Sequence, residues 1–139
     1  MFPEQISVDI LNEQGKNTLV GLLDIRFTRI GENYLIAEMP VNDKTRQPHG
    51  ILHGGASVVL AETLGSVAAN LVLNNNKQYA VGLEINANHI RSVSSGVVTG
   101  KALPIHIGRS TQVWSIEITN EESKIVAISR ITVAVKDKR

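Results

Sequence analysis

Residues 53–73 read HGGASVVLAETLGSVAANLVL. After Gly55 only Gly65 interrupts the run, no proline enters it, and apolar side chains stand at Val58, Val59, Leu60, Ala61, Leu64, Val67, Ala68, Leu71 and Val72. These positions go nearly all round a 3.6-residue turn. The spacing therefore predicts a helix over 55–73 that other structure wraps, since a surface helix would show a polar face. Three polar residues break the pattern in a line, Glu62, Ser66 and Asn70, at i, i+4 and i+8. A carboxylate is costly to bury unless it is paired or functional. The Lys or Arg residues nearest to Glu62 in the sequence, Lys77 and Arg46, both lie outside the helix. Two readings stay open at this point: a chemically active carboxylate, or a polar residue on a helix edge that reaches water or a partner chain.

The entry to the helix, His53-Gly54-Gly55, offers a backbone that can be closely approached where the first helical N–H groups have no internal acceptor. Such donors, at the positive end of the helix dipole, can polarise a carbonyl oxygen as it gains negative charge. The simpler reading is a tight N-terminal turn. Gly55 and Glu62 share a face but lie roughly 10 Å apart along the axis. If both act on one carbonyl, the helix start of one subunit must meet Glu62 of another, at a dimer interface.

Outward from the helix, Ile6, Ile10 and Leu11 are spaced for a short helix within 3–13, followed by a turn over 12–17. Over 19–30, Leu23, Ile25 and Phe27 alternate with Asp24, Arg26 and Thr28, which predicts a strand; Gly31-Glu32-Asn33 turns it into a second strand over 34–39. The stretch 40–50 is polar, holds two prolines and a glycine, and reads as an ordered loop. Four strand-like runs follow the helix, over 79–90, 96–107, 110–119 and 124–135, with gaps short enough for successive hairpins. The expected fold is α+β: five to six antiparallel strands, the last four a meander, curled around one helix. Pairing of the long strand 79–90 with its symmetry mate would hide an edge.

At 139 residues with 42% hydrophobic content, the chain is expected to form a single domain spanning 1–139 with its own core. The absence of cysteine excludes disulfides, thiolate metal sites and a cysteine nucleophile. The 14 basic and 13 acidic residues nearly cancel and are scattered, apart from a basic tail over 136–139, which argues against a nucleic-acid module. Neither a signal peptide nor an apolar run long enough to span a bilayer is legible, so a soluble, cytoplasmic protein without membrane attachment is expected. His49 and His53 have HxxxH spacing, but Gly50 lies between them on a loop and no third ligand is evident, so no metal and no cofactor are expected.

The run from Gln47-Pro48-His49-Gly50-Ile51-Leu52-His53-Gly54-Gly55 through Glu62 to Ala68 resembles the hotdog thioesterases of the 4-hydroxybenzoyl-CoA thioesterase branch. Within that branch it is most similar to the bacterial 1,4-dihydroxy-2-naphthoyl-CoA hydrolases. The likeness extends through Val20 to Phe27, Val81 to Arg91 and Gln112 to Ile118. It implies a hotdog fold and hydrolysis of an acyl-CoA, with Glu62 as nucleophile or general base and the Gly55 N–H polarising the thioester carbonyl. Gln47 and His53 would assist, and Ser66 would help place water or the carboxylate. Val81, then Asn88, His89, Ile90 and Arg91, then Ile105, His106, Ile107, Gly108, Arg109 and Ser110 match positions that hold the CoA or acyl portion. His89, Arg91, His106 and Arg109 are suited to phosphates or adenine. The resemblance also implies tetramers built from two dimers. His49 stands where relatives often carry Phe, which implies a different acyl pocket. Rival readings are a proofreading or broad-specificity thioesterase acting on acyl-CoA or acyl-carrier protein, a dehydratase of the same fold, and a non-catalytic acyl-CoA-binding protein. The dehydratases typically have a Pro-Gly pair ahead of the helix, absent here, and sensors usually carry a separate output domain.

Overall fold

A computed structural model describes residues Met1–Arg139. The chain runs α1 (Val8–Gln14), α2 (Leu19–Leu22), β1 (Arg26–Ile30), β2 (Leu35–Pro40), α3 (Gly54–Leu71), β3 (Gln78–His89), β4 (Val97–Ile107), β5 (Thr111–Thr119) and β6 (Ile125–Asp137). The six strands form one antiparallel sheet in the order β1-β2-β4-β5-β6-β3, with α3 packed against its inner face. This is the α+β hotdog arrangement expected from the sequence. No helix is long and apolar enough to cross a membrane.

Alternation along the strands explains which face α3 covers. In β5, Gln112, Trp114, Ile116 and Ile118 are buried while the residues between them face outward. The three apolar ones join Leu60, Leu64 and Ala68 of α3 in a single core of 25 buried residues. Gly65 marks the closest approach of helix and sheet, because a Cβ there would lie 2.5 Å from Ile131 Cγ2. The buried polar Gln112 is fully used: its Nε2 donates to the Ala69 carbonyl (3.3 Å) and its Oε1 accepts from Trp114 Nε1 (2.8 Å). Gln112→Leu leaves the Trp114 N–H buried without an acceptor and is expected to lower the free energy of unfolding by about 2 kcal/mol. Urea denaturation followed by Trp114 fluorescence measures it.

Four sequence expectations need correction. Residues 19–22 are helical rather than extended, because the Thr18 hydroxyl caps Val20 N–H and Asp24 takes a left-handed backbone (φ 55°) before β1 begins. Leu23, Ile25 and Phe27 are nevertheless all buried, so the alternation correctly marked inward positions. The short N-terminal helix starts later, at Val8 after the Ser7 cap, and Ile10 faces outward. The last four strands are not a simple meander. β4, β5 and β6 follow one another, but β3 lies on the far side of β6, and the segment 90–96 crosses the sheet beneath the loop before α3, where Leu52 N–H donates to the Val93 carbonyl. Finally, α3 is not covered all round. Val58, Val59, Glu62, Thr63, Ser66, Val67 and Asn70 form a half-exposed side, since the sheet curls over only the other side.

The two sheet edges differ. β1 is five residues long and tied to α1 by Asn12, whose side-chain amide bonds both the N–H and the carbonyl of Phe27. β3 is twelve residues long and paired only with β6. Its open edge is held at Ala80, where Asn70 of α3 accepts from the N–H (2.9 Å) and donates to the carbonyl (3.3 Å). Tyr79, Val81 and Leu83 on this strand are exposed.

Candidate active site

Glu62 sits midway along α3 on its half-exposed side, with Leu19, Val58, Val59 and Thr63 lining an open groove of roughly 320 Å³. None of the four ion pairs in the chain involves it. Across from it lies Gly82 of β3, with nothing larger than hydrogen between its backbone and the carboxylate. Ser66, one turn further along, opens onto a different groove, with Ile6, Leu11 and Asn70. Asn70 is committed to holding β3. Of the expected polar stripe, the Glu62 carboxylate and the Ser66 hydroxyl make no hydrogen bond, and Glu62 is the one that carries a charge.

The start of α3 faces a second cavity, of roughly 270 Å³, lined by Gln47, Gly54, Ser57, His89, Ile90 and Arg91 among others. His53 is the N-cap residue. Its backbone is extended (φ −67°, ψ 131°), and its Nδ1 accepts from the Gly55 N–H at 2.7 Å. The donor expected to polarise a carbonyl is thus occupied by the preceding side chain, which must rotate away before Gly55 can serve. The Gly54 N–H has no backbone or side-chain acceptor and lies one residue earlier on the cavity wall. Gly54 also packs directly beneath His89, whose Nε2 would be 2.9 Å from a Cβ there. Gln47 lines the same cavity, and its Oε1 accepts from the His49 N–H within the loop. Arg91 reaches back to donate to the Ile125 carbonyl (2.8 Å). No three His, Asp or Glu side chains converge where a cation could sit.

Within one chain the substrate-contacting candidates fall into two groups. His89, Ile90 and Arg91 line the cavity at the start of α3, with His89 opposite Ala127 of β6 and Asn88 just before it opposite Ile128. Val81 lies beside Ala134 of β6, and the hairpin carrying Ile105 to Ser110 ends there too, with Thr111 opposite Ala134 and Val135 N–H donating to the Ser110 carbonyl. Between Ala127 and Ala134 runs about 23 Å of strand. Gly54, Ser57 and Gly82 were missing from the sequence-based site residues. The double glycine was a signal for the first; Ser57 and Gly82 become visible only once α3 is set against its neighbours.

The half-exposed helix with an unpaired carboxylate, set in a six-stranded sheet, has clear counterparts. Residues 49–127 match the family model described as the thioesterase superfamily. The 1,4-dihydroxy-2-naphthoyl-CoA hydrolase of Escherichia coli is 50% identical over 135 residues, covering 97% of this chain and 98% of that protein. A Pseudomonas aeruginosa thioesterase, solved with a Gln-to-Ala substitution, superposes with a TM-score of 0.96 at 45% identity, covering 99% of each chain. A Staphylococcus aureus thioesterase, likewise solved as a Gln-to-Ala variant, gives 0.82 at 40% identity over 85% of this chain and 98% of its own. With a family model spanning more than half its length and relatives of this similarity along nearly all of it, the chain belongs to the thioesterase superfamily and is a thioester hydrolase.

Proposed function

We propose that the protein hydrolyses an aromatic acyl-CoA in the cytoplasm, with 1,4-dihydroxy-2-naphthoyl-CoA as its foremost substrate, and that each site is built from two copies of the chain. The reading rests above all on Glu62, a carboxylate with no ion-pair partner beside an open groove on the uncovered side of α3. Antiparallel pairing of two β3 edges about a two-fold axis near Leu83 sets Val81 of one strand opposite Ile85 of the other, so that the half carrying Val81 runs along the half that leads to His89. Glu62, Val81 and the Ile105 to Ser110 hairpin of one copy then face Gln47, His53, the start of α3 and the segment Asn88 to Arg91 of its mate. Two such dimers form the tetramer.

In this site the thioester oxygen accepts from the Gly54 N–H, and from Gly55 once His53 swings aside. Glu62 either attacks the carbonyl carbon or takes a proton from an attacking water. The C–S bond breaks, a C–O bond forms, and the CoA thiolate leaves to be protonated; on the first route water then cleaves the acyl–Glu62 anhydride, releasing the acid and restoring the carboxylate. Two variants of the Staphylococcus aureus relative, one Gln-to-Ala and one Glu-to-Ala, change residues separated by the same number of positions as Gln47 and Glu62. The acyl group is proposed from the name of the E. coli relative.

The experiment is a comparison of kcat/KM across 1,4-dihydroxy-2-naphthoyl-CoA, benzoyl-CoA, straight-chain acyl-CoAs and the matching acyl-carrier proteins, read by released thiol. The chain has no cysteine to add background. The naphthoyl thioester is expected to rank first, and a preference for acyl-carrier protein or for straight chains would overturn the substrate assignment. Beside Gly54→Ala, which presses on His89 but keeps the N–H, Gly54→Pro also removes the free N–H, at a helix start that suits proline and after an extended residue that tolerates it. It is expected to lower kcat roughly 100-fold, the usual loss for one oxyanion donor, without loss of helix content by circular dichroism.

A further inference from the structure

Gly82 is a glycine for which the backbone gives no reason. Positive φ angles among the glycines occur only at Gly50 and Gly96, so any residue could adopt the conformation of Gly82. In a strand interior, glycine is also a poorer choice than alanine. The space beside it supplies a reason: a Cβ at this position would have a single heavy-atom neighbour within 4 Å, Glu62 Oε1, at 3.1 Å.

The strand is irregular at the same place. The register between β3 and β6 shifts between Gly82 and Glu84, so Leu83 is an extra residue and stands exposed. Ala80 and Ile85 both pack on the core. Strict alternation cannot turn both inward, and the inserted residue lets it happen. Gly82 is consequently the last position facing α3 before the bulge, and the place where the strand passes the carboxylate.

We infer that Gly82 is a positioning residue for hydrolysis: its missing side chain leaves the room in which the Glu62 carboxylate is held against β3. The inference rests on the proposed role of Glu62. A methyl group at 82 would push Oε1 away by a few tenths of an ångström, or turn the carboxylate, and displacement on this scale is felt in the chemical step more than in binding.

The test uses the full-length protein with an aryl-CoA such as benzoyl-CoA. Gly82→Ala is expected to lower kcat about tenfold with KM unchanged and with Tm equal to or above that of the parent. A purely structural role would move activity and Tm down together. Glu62→Asp withdraws the carboxylate by one methylene, so the double variant E62D/G82A is expected to be no slower than E62D alone. Parental kcat in G82A, a fall in Tm matching the activity loss, or losses that multiply in the double variant would each overturn the inference. An inactive E62A beside a fully active G82A would remove Gly82 and leave Glu62 standing, whereas an active E62A would remove both.

Discussion

Glu62→Ala is expected to lower kcat by about 1,000-fold, within the range of a lost general base, while CoA-thioester binding persists. The expectation follows from the position of the residue. Glu62 is half-buried, engages in no ion pair, and lines a groove at the uncovered side of α3. A carboxylate with this exposure and no partner contributes little to folding, so its removal should leave Tm close to that of the parent. Glu62→Gln keeps size and hydrogen-bonding shape but removes basicity and nucleophilicity, and should be nearly as slow. Single-turnover kinetics with an aryl-CoA, alongside isothermal titration of a non-hydrolysable analogue, separate loss of chemistry from loss of binding. Near-normal turnover in either variant would end the assignment.

Leu83→Asp is expected to convert the proposed dimer to monomers and to lower kcat/KM by roughly 1,000-fold, more than the loss of one oxyanion donor. Leu83 is 61% exposed in the single chain, so the charge does not disturb the core. It sits at the middle of β3, the long edge with few bonds closing it. About a two-fold axis there, the substitution places two carboxylates close together across the contact, and like charges suppress strand pairing. The monomer would keep Glu62 but lose the partner's helix start and its Asn88 to Arg91 segment. Light scattering and activity on the same samples check both parts. An active monomer would contradict the composite site.

Periodicity made much of this architecture readable. The greasy run at 55–73 marked α3, the alternation at Leu23, Ile25 and Phe27 marked inward positions even where the backbone was not strand, and Gly31 turned the first hairpin, its N–H donating to the Tyr34 carbonyl. What periodicity does not encode is which strands become neighbours. The gap after His89 was short enough for a hairpin, yet β3 pairs with β6, where its inward residues Ala80 and Ile85 pack on the core. Local propensity also misled at 19–22, where the hydroxyl of Thr18 offered a cap that outweighed alternation. At the candidate site, Glu62 was legible because burial and charge conflict in one residue. The cap of His53 on Gly55, and the clearance at Gly82, depend on side-chain directions and distances that no spacing rule contains.

The claim that each site takes Glu62 from one copy and the start of α3 from its mate is tested most directly by mixing two inactive variants. Glu62→Ala and Gly54→Pro are unfolded together, refolded, and assayed, with native mass spectrometry counting the heterodimers. In a composite site every heterodimer has one doubly damaged site and one with both parental parts. Random pairing should then restore about a quarter of parental activity, as two-fold symmetry requires. Heterodimers present in quantity with no recovered activity would contradict the account.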